Sequence, residues 1–297
     1  MGKILGVGLS IVDHILLVPE FPGKEGYIRC RDYQIQGGGM VGTAMSAAAR
    51  LGGCVEIWCR VGDDRDGAFA LEDLAERGID ISQCRKEPEG KTGVSTVLVK
   101  ESNGERTFIY RPAAHGAYPA PLPDVARVED ASVVLVDGHW RDAALAAMKR
   151  ARACGIPVVA DLNDHVACPD ELLALTDVPV LPAFAAAHLC GVADPEAAVT
   201  RLGERGARLA VITQGSAGGV YWHKGKTYRY SAFDSPIVDT TGAGDCFHGA
   251  FCYAIAAGYS PHDSVRFASA AGVLNCRKLG GRAALPTYEE VENLLRK

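Results

Sequence analysis

Short apolar, β-favouring runs alternate with amphipathic stretches along nearly the whole chain. The runs at 4–9, 55–61, 133–137, 158–161, 178–181 and 209–213 lack the strict alternation of half-exposed strands. They predict strands covered on both faces. Between and after them, apolar residues recur at helical spacing over 41–51, 67–77, 142–153, 194–205, 245–257, 261–279 and 287–296. Strands separated by helices imply an α/β fold: a doubly wound, mainly parallel sheet flanked by helices.

Two segments depart from this rhythm. Residues 27–35 alternate as a strand with no helix before them, and 92–100 with 105–111 read as a hairpin closed by Ser102-Asn103-Gly104. Extra antiparallel strands in a parallel core predict a small β-sheet lid, from about 14–36 and 92–112, able to keep water from a site. Residues 1–297 show no internal repeat and read as one large domain carrying that insertion. Hydrophobic content of 48% and charged content of 23% are ordinary for a globular chain. A net charge of −5 gives no electrostatic case for nucleic acid. No apolar run reaches membrane-spanning length, and the N-terminus leads straight into a strand instead of a signal peptide, so a cytoplasmic protein is expected. The ten cysteines are scattered; Cys30, Cys54, Cys59, Cys246, Cys252 and Cys276 lie in apolar segments and read as small buried hydrophobes, not metal ligands.

The densest chemistry is in Asp239-Thr-Thr-Gly-Ala-Gly-Asp-Cys-Phe-His-Gly-Ala-Phe251. A β-favouring run breaks at Gly242-Ala243-Gly244, and a helix is expected from Asp245. Small residues at a helix N-terminus leave backbone amides unpaired, and the helix dipole adds positive charge, which makes an anion cradle. A carboxylate on its lip suits the removal of a proton from a hydroxyl attacking phosphorus. Other glycine motifs are lookalikes. Gly90-Lys91-Thr92 and Gly225-Lys226-Thr227 lack the first glycine of a P-loop, since Arg85 and Val220 stand there. Gly6-Val-Gly8 lacks the third glycine of a dinucleotide fold, because position 11 is Ile. Gly37-Gly38-Gly39 precedes a helix of small residues, where backbone can approach a ligand closely. His248, one turn beyond Asp245, reads more readily as a packing residue than as a second acid.

The 239–251 string resembles the C-terminal signature of the ribokinase (phosphofructokinase B type) family of sugar kinases, and the resemblance runs from Gly6-Val-Gly8 to Pro286. It implies an ATP- and Mg2+-dependent kinase in which Asp245 is the catalytic base and the amides of Gly242, Ala243 and Gly244 hold the transferring phosphate. Gly37 through Gly52 is similar to the family's sugar-binding signature, giving Gly38, Gly39 and Thr43 as sugar contacts, with Thr43 where Asn is usual. Asp13 matches the family's substrate-binding Asp in spacing. Thr213, Gly215 and Gly218 resemble the nucleotide loop, and Asn275 falls where the family closes over adenine. Asp161, Asp239 and Thr241 are the implied metal residues, with a monovalent cation such as K+ a further implied cofactor. The family's Asn-x-x-Glu is missing, since positions 182 and 185 hold Pro and Ala. The chain looks closest to the sulfofructose kinase branch. That branch places Lys, Asn and Arg around a sulfonate, where this chain has Tyr27, Tyr110 and His139. A buried sulfonate needs charged partners, so a sugar with a neutral end is expected, a ketose or related furanose. The alternatives are a nucleoside kinase on the same fold, with the aromatic lid stacking a base, and a sulfofructose kinase proper. The resemblance also implies a homodimer formed through the lid.

Overall fold

A computed structural model describes residues 2–115, 121–163 and 169–296. Its strands are β1 (Lys3–Val7), β2 (Ile11–Val18), β3 (Asp32–Gly38), β4 (Val55–Trp58), β5 (Arg60–Gly62), β6 (Arg85–Glu87), β7 (Val94–Lys100), β8 (Arg106–Arg111), β9 (Ala131–Val136), β10 (Val158–Ala160), β11 (Val178–Pro182), β12 (Leu209–Thr213), β13 (Gly219–His223) and β14 (Lys226–Tyr230). Its helices are α1 (Met40–Arg50), α2 (Arg65–Glu76), α3 (Arg141–Ala153), α4 (Pro169–Leu173), α5 (Ala183–Cys190), α6 (Pro195–Glu204), α7 (Ala243–Ala256), α8 (Pro261–Asn275) and α9 (Tyr288–Leu295).

The main sheet has the order β14-β13-β12-β11-β10-β9-β1-β4. Every pair from β4 to β12 is parallel, and β13 and β14 close the far edge antiparallel. Apolar side chains alternate between two layers. Ile4, Ile57, Val133 and Leu135 pack toward α1, α7 and α8, while Leu5, Val134 and Val136 pack toward α3 and its neighbours. The expected doubly wound α/β core is therefore present. No helix of the described residues is long and apolar enough to cross a membrane.

A second sheet, ordered β3-β2-β7-β8, forms the lid. Its small apolar core is Ile15, Val97, Val99 and Leu279. The hairpin β7–β8 matches the expectation, with Gly104 at φ 67° after the turn. The expected strand at 27–35 does not: residues 25–30 are irregular, and β3 starts at Asp32. Strand β2 went unpredicted because Asp13 and His14 interrupt its apolar run. The run 55–61 breaks at Cys59 into β4 and β5, the latter pairing with β6. Helix α8 ends at Asn275, four residues short, since Gly280 must adopt φ 96° beyond it. Helix α5 was missed because Ala183–Cys190 has almost no polar face. Cys30 and Cys54 are exposed, contrary to expectation, whereas Cys59, Cys246, Cys252 and Cys276 are buried.

Helices α1 and α7 approach at Gly249, where a Cβ would lie 2.0 Å from the Ala44 carbonyl oxygen. A backbone oxygen cannot swing aside. Gly249→Ala is expected to destabilise the fold by about 1–3 kcal/mol, read as a lower urea midpoint at unchanged slope.

Candidate active site

The Asp239–Asp245 turn sits between a buried loop and the start of α7. Gly242 is the residue before the helix, left-handed at φ 70°, ψ 5°. A Cβ there would come within 2.8 Å of Gly281 Cα, so both conformation and space require glycine. The helix opens at Ala243, two residues before the expected start, which puts Asp245 inside the first turn. The Ala243 amide donates to Thr240 O at 3.2 Å. The amides of Gly242, Gly244 and Asp245 meet no acceptor among the described residues, and Gly244 is exposed with nothing within 4 Å of its Cβ position. An open concavity of amides at a helix N-terminus fits a phosphate.

Asp245 accepts no hydrogen bond among the described residues. Dense surroundings push its carboxyl well above the ordinary range, and Asp161, Asp13 and Asp137 push the same way against Arg282. Part of its surface still reaches solvent. This is a carboxylate that gains by taking a proton.

Asp13, on β2, is 8% exposed. Burial raises its carboxyl to about 6, with Arg282 opposing and Asp239 reinforcing the shift. Gly38 passes so close that a Cβ would lie 2.2 Å from Asp13 Oδ2; one at Gly39 would lie 2.6 Å from Leu9 O. Thr43 is buried, and its Oγ1 accepts from Arg282 Nε at 3.2 Å. Its hydroxyl is thus engaged from within the protein.

Beside this loop a pocket of about 110 Å³ is lined by Gly8, Leu9, Arg60, Tyr110, His139 and Trp140, among others. Asp137 organises its floor, accepting from Leu9 N at 2.8 Å and His139 N at 2.9 Å. Burial pulls the His139 imidazole down, but Asp137 and the more distant Asp161 outweigh it and hold it above the ordinary range. Arg60 lies over the Trp140 ring at 5.4 Å and pairs with Glu87 at 3.2 Å, and His115 meets Glu87 at 2.9 Å. Tyr27 is 85% exposed before β3 and does not line this pocket.

In the loop expected to meet the nucleotide, Thr213 ends β12, and Gly215 and Gly218 have φ of 58° and 81°. Gln214 N donates to Gly218 O at 2.8 Å and closes that loop. Asn275 is fully buried, and its amide donates to Gly281 O at 2.9 Å and Thr241 O at 3.4 Å, so it braces the turn from behind. Asp239 is equally internal: Oδ1 accepts from Thr241 N and Oγ1, and Oδ2 from Gly280 N. Asp161 lies 3.4 Å from His248 Nδ1, and burial raises its carboxyl, with His248 and His139 opposing. His248 itself is buried, its ring nitrogens 2.8 Å and 2.9 Å from the Gly244 and Val180 carbonyl oxygens. Pro182 and Ala185 fall at the start of α5. Among the described residues no group of three or more His, Cys, Asp or Glu gathers to hold a metal.

Arg282, Asp137, Gln36 and Arg60 were not singled out from sequence as parts of this site. The only signal for Arg282 was a charge set inside an otherwise small, apolar stretch, Gly280-Gly-Arg-Ala-Ala-Leu285.

Comparison with known proteins bears on all of this. The profile of pfkB family carbohydrate kinases matches residues 1–288. A ribokinase from Haemophilus influenzae is 30% identical over 308 residues, and a fructokinase from Klebsiella pneumoniae 31% over 318, each covering 99% of both chains. The structure of a ribokinase from Arabidopsis thaliana complexed with ribose and ATP superposes with a TM-score of 0.86 at 25% identity, over 100% of this chain and 99% of that one. With that profile and such relatives spanning its length, the chain belongs to the pfkB family of carbohydrate kinases.

Proposed function

We propose that this sugar kinase transfers the γ-phosphate of ATP to a primary hydroxyl of a small ketose or related furanose. The observation that carries the reading is Asp245 held, without a hydrogen-bond partner, on the same helical turn as the unpaired Gly242 and Gly244 amides. The hydroxyl oxygen bonds to phosphorus as the bond from phosphorus to the bridging oxygen of ADP breaks, and Asp245 takes the hydroxyl proton. The amides of the turn stabilise the negative charge that grows on the phosphoryl oxygens. Asp13, beside Gly38 and Gly39, accepts hydroxyls of the sugar. Thr213, Gly215 and Gly218 flank the nucleotide.

Magnesium entering with ATP would supply neutralisation of the charge on the phosphates. Asp161 would hold it, directly or through water, as suits an ion that keeps most of its ligands from phosphate and solvent. Asp239 and Thr241 fix the turn, and Asn275 and Thr43 act from behind the site.

The Tyr110–His139 pocket takes the end of the sugar remote from the attacking hydroxyl. Its Arg60 pairs with Glu87, which also meets His115, so the guanidinium is already engaged and a neutral, hydroxyl-rich end is favoured over a sulfonate. The same lid exposes Tyr33, Ile35 and Ile109 on one face of its sheet, an apolar patch suited to cover by a second copy of the chain.

A coupled ADP assay over ribose, fructose, sulfofructose, adenosine and inosine tests the substrate class. Turnover confined to the nucleosides would replace the sugar with a nucleoside, and ATP turnover unaffected by any of the five would overturn the reading. Asp245→Asn is expected to lower kcat at least about a thousandfold while calorimetry still shows sugar and ATP binding. The native rate should also fall with acidity well before the usual carboxylate range, because Asp245 must be ionised to act.

Asp13 gives a second check. Its folded pKa of about 6 lies above the ordinary 3.8, so the fold binds that proton more tightly than the unfolded chain does. Its contribution is therefore most favourable at low pH and declines as pH rises from 3.8 through about 6. Asp13→Asn should stabilise the protein at pH 8 by about 1–3 kcal/mol while raising the sugar KM. Parallel pH–stability curves for the two proteins would contradict this.

A further inference from the structure

Residues 279–282 run as irregular chain between α8 and α9, yet all four are buried. On one side this strap bears on the phosphate turn. Gly280 N donates to Asp239 Oδ2 at 2.8 Å, Gly281 O accepts from Asn275 Nδ2 at 2.9 Å, and Gly281 packs directly on Gly242. On the other side the same residues hold the lid and the sugar loop. Leu279 completes the apolar core of the lid. Gln36, on β3, grips the strap at two points: Nε2 donates to Leu279 O at 3.2 Å, and Oε1 accepts from Arg282 N at 3.1 Å. Gly280 has no room for a side chain, since a Cβ would lie 2.3 Å from Gln36 Nε2.

Arg282 anchors the strap's end. Its Nη2 donates to Gly38 O at 2.7 Å, its Nε to Thr43 Oγ1 at 3.2 Å, and its Nη1 pairs with Asp73 of α2 at 2.5 Å. Cβ atoms at Gly37 and Gly42 would meet its guanidinium at 2.3 Å and 2.5 Å. A guanidinium with a fixed planar fork, buried and engaged by three elements, has one place to be. A shift of β3 relative to the strap breaks both Gln36 bonds at once. Displacement of the lid or the glycine loop is therefore passed to the chain that donates to Asp239 and supports Gly242.

We infer that the 279–282 strap couples the sugar site to the phosphate turn, with Gln36 and Arg282 as positioning residues that touch neither reactant. The inference rests on the sugar-kinase reading and adds that seating the sugar sets the Gly242–Asp245 amides. A turn set in this way favours transfer to the sugar over loss of phosphate to water.

Calorimetric titration with the non-hydrolysable ATP analogue AMP-PNP, with and without whichever of fructose or ribose the native protein phosphorylates, tests it. In the native protein the sugar should tighten AMP-PNP binding by about fivefold or more. Gln36→Leu should keep the sugar-free affinity and bring that factor to within about twofold of unity. Gln36→Glu keeps the acceptor for Arg282 N, loses the donor to Leu279 O, and should fall between. Arg282→Lys keeps the charge without the fork, and should raise the sugar KM more than the ATP KM. A native-sized factor in either Gln36 variant overturns the coupling, as does a native protein whose AMP-PNP affinity ignores the sugar. An unchanged sugar KM in Arg282→Lys removes that residue's role. Absence of turnover with every sugar would instead remove the kinase reading beneath it.

Discussion

Negative charge crowded at one edge of the sheet is the constraint around which the site is built. Asp13, Asp137, Asp161, Asp239 and Asp245 converge where the parallel strands end, and most are buried. Carboxylates in so dry a place must be bonded, paired or protonated. Asp137 and Asp239 are bonded to backbone amides on both oxygens, and Asp161 faces His248. Asp13 and Asp245 accept no hydrogen bond among the described residues, and both have raised pKa values. Under the proposed reading these two unsatisfied carboxylates meet the reactants. Asp137 and Asp239 are fixed within the scaffold.

That distinction was only half legible in the sequence. The phosphate turn was, because its glycines, its helix start and its carboxylate are contiguous and local rules govern them. The parallel core was, because strands covered on both faces must be apolar throughout. Strand β2 was not, since the polar pair Asp13-His14 that breaks its pattern is placed there by the site and the lid. Helix α5 was hidden by its uniform Ala-rich composition, and β13–β14 by a Lys224-Gly225 turn embedded in a P-loop lookalike. Thr43 and Asn275 have polar groups engaged within the protein, which the sequence did not announce. The partner of Thr43 is Arg282, 239 positions away, and no local pattern announces such a pairing.

The glycines of the site divide in a similar way. Gly38 and Gly39 are bare because a carboxylate and a carbonyl lie where their side chains would be, and Gly37 and Gly42 because a guanidinium does. Gly244 is bare with nothing opposite it. The first four are bare to suit the protein's own interior. Gly215 and Gly244 leave open space, Gly244 where the start of α7 faces solvent.

Asp245 is the third residue of α7, on the same turn as the Gly242 and Gly244 amides. Base and cradle therefore belong to one helix start, backed by α1 and α8, and the 279–282 strap links that start to the smaller sheet. The parts proposed to choose the substrate are separate: a four-stranded flap, a glycine loop and a pocket in which Arg60 is paired with Glu87. Under the proposed reading, a lineage with this layout exchanges sugars by redrawing the flap while keeping the Gln36 contacts that carry its position to the turn. The phosphate turn is the inherited tool, and the lid is its interchangeable fitting.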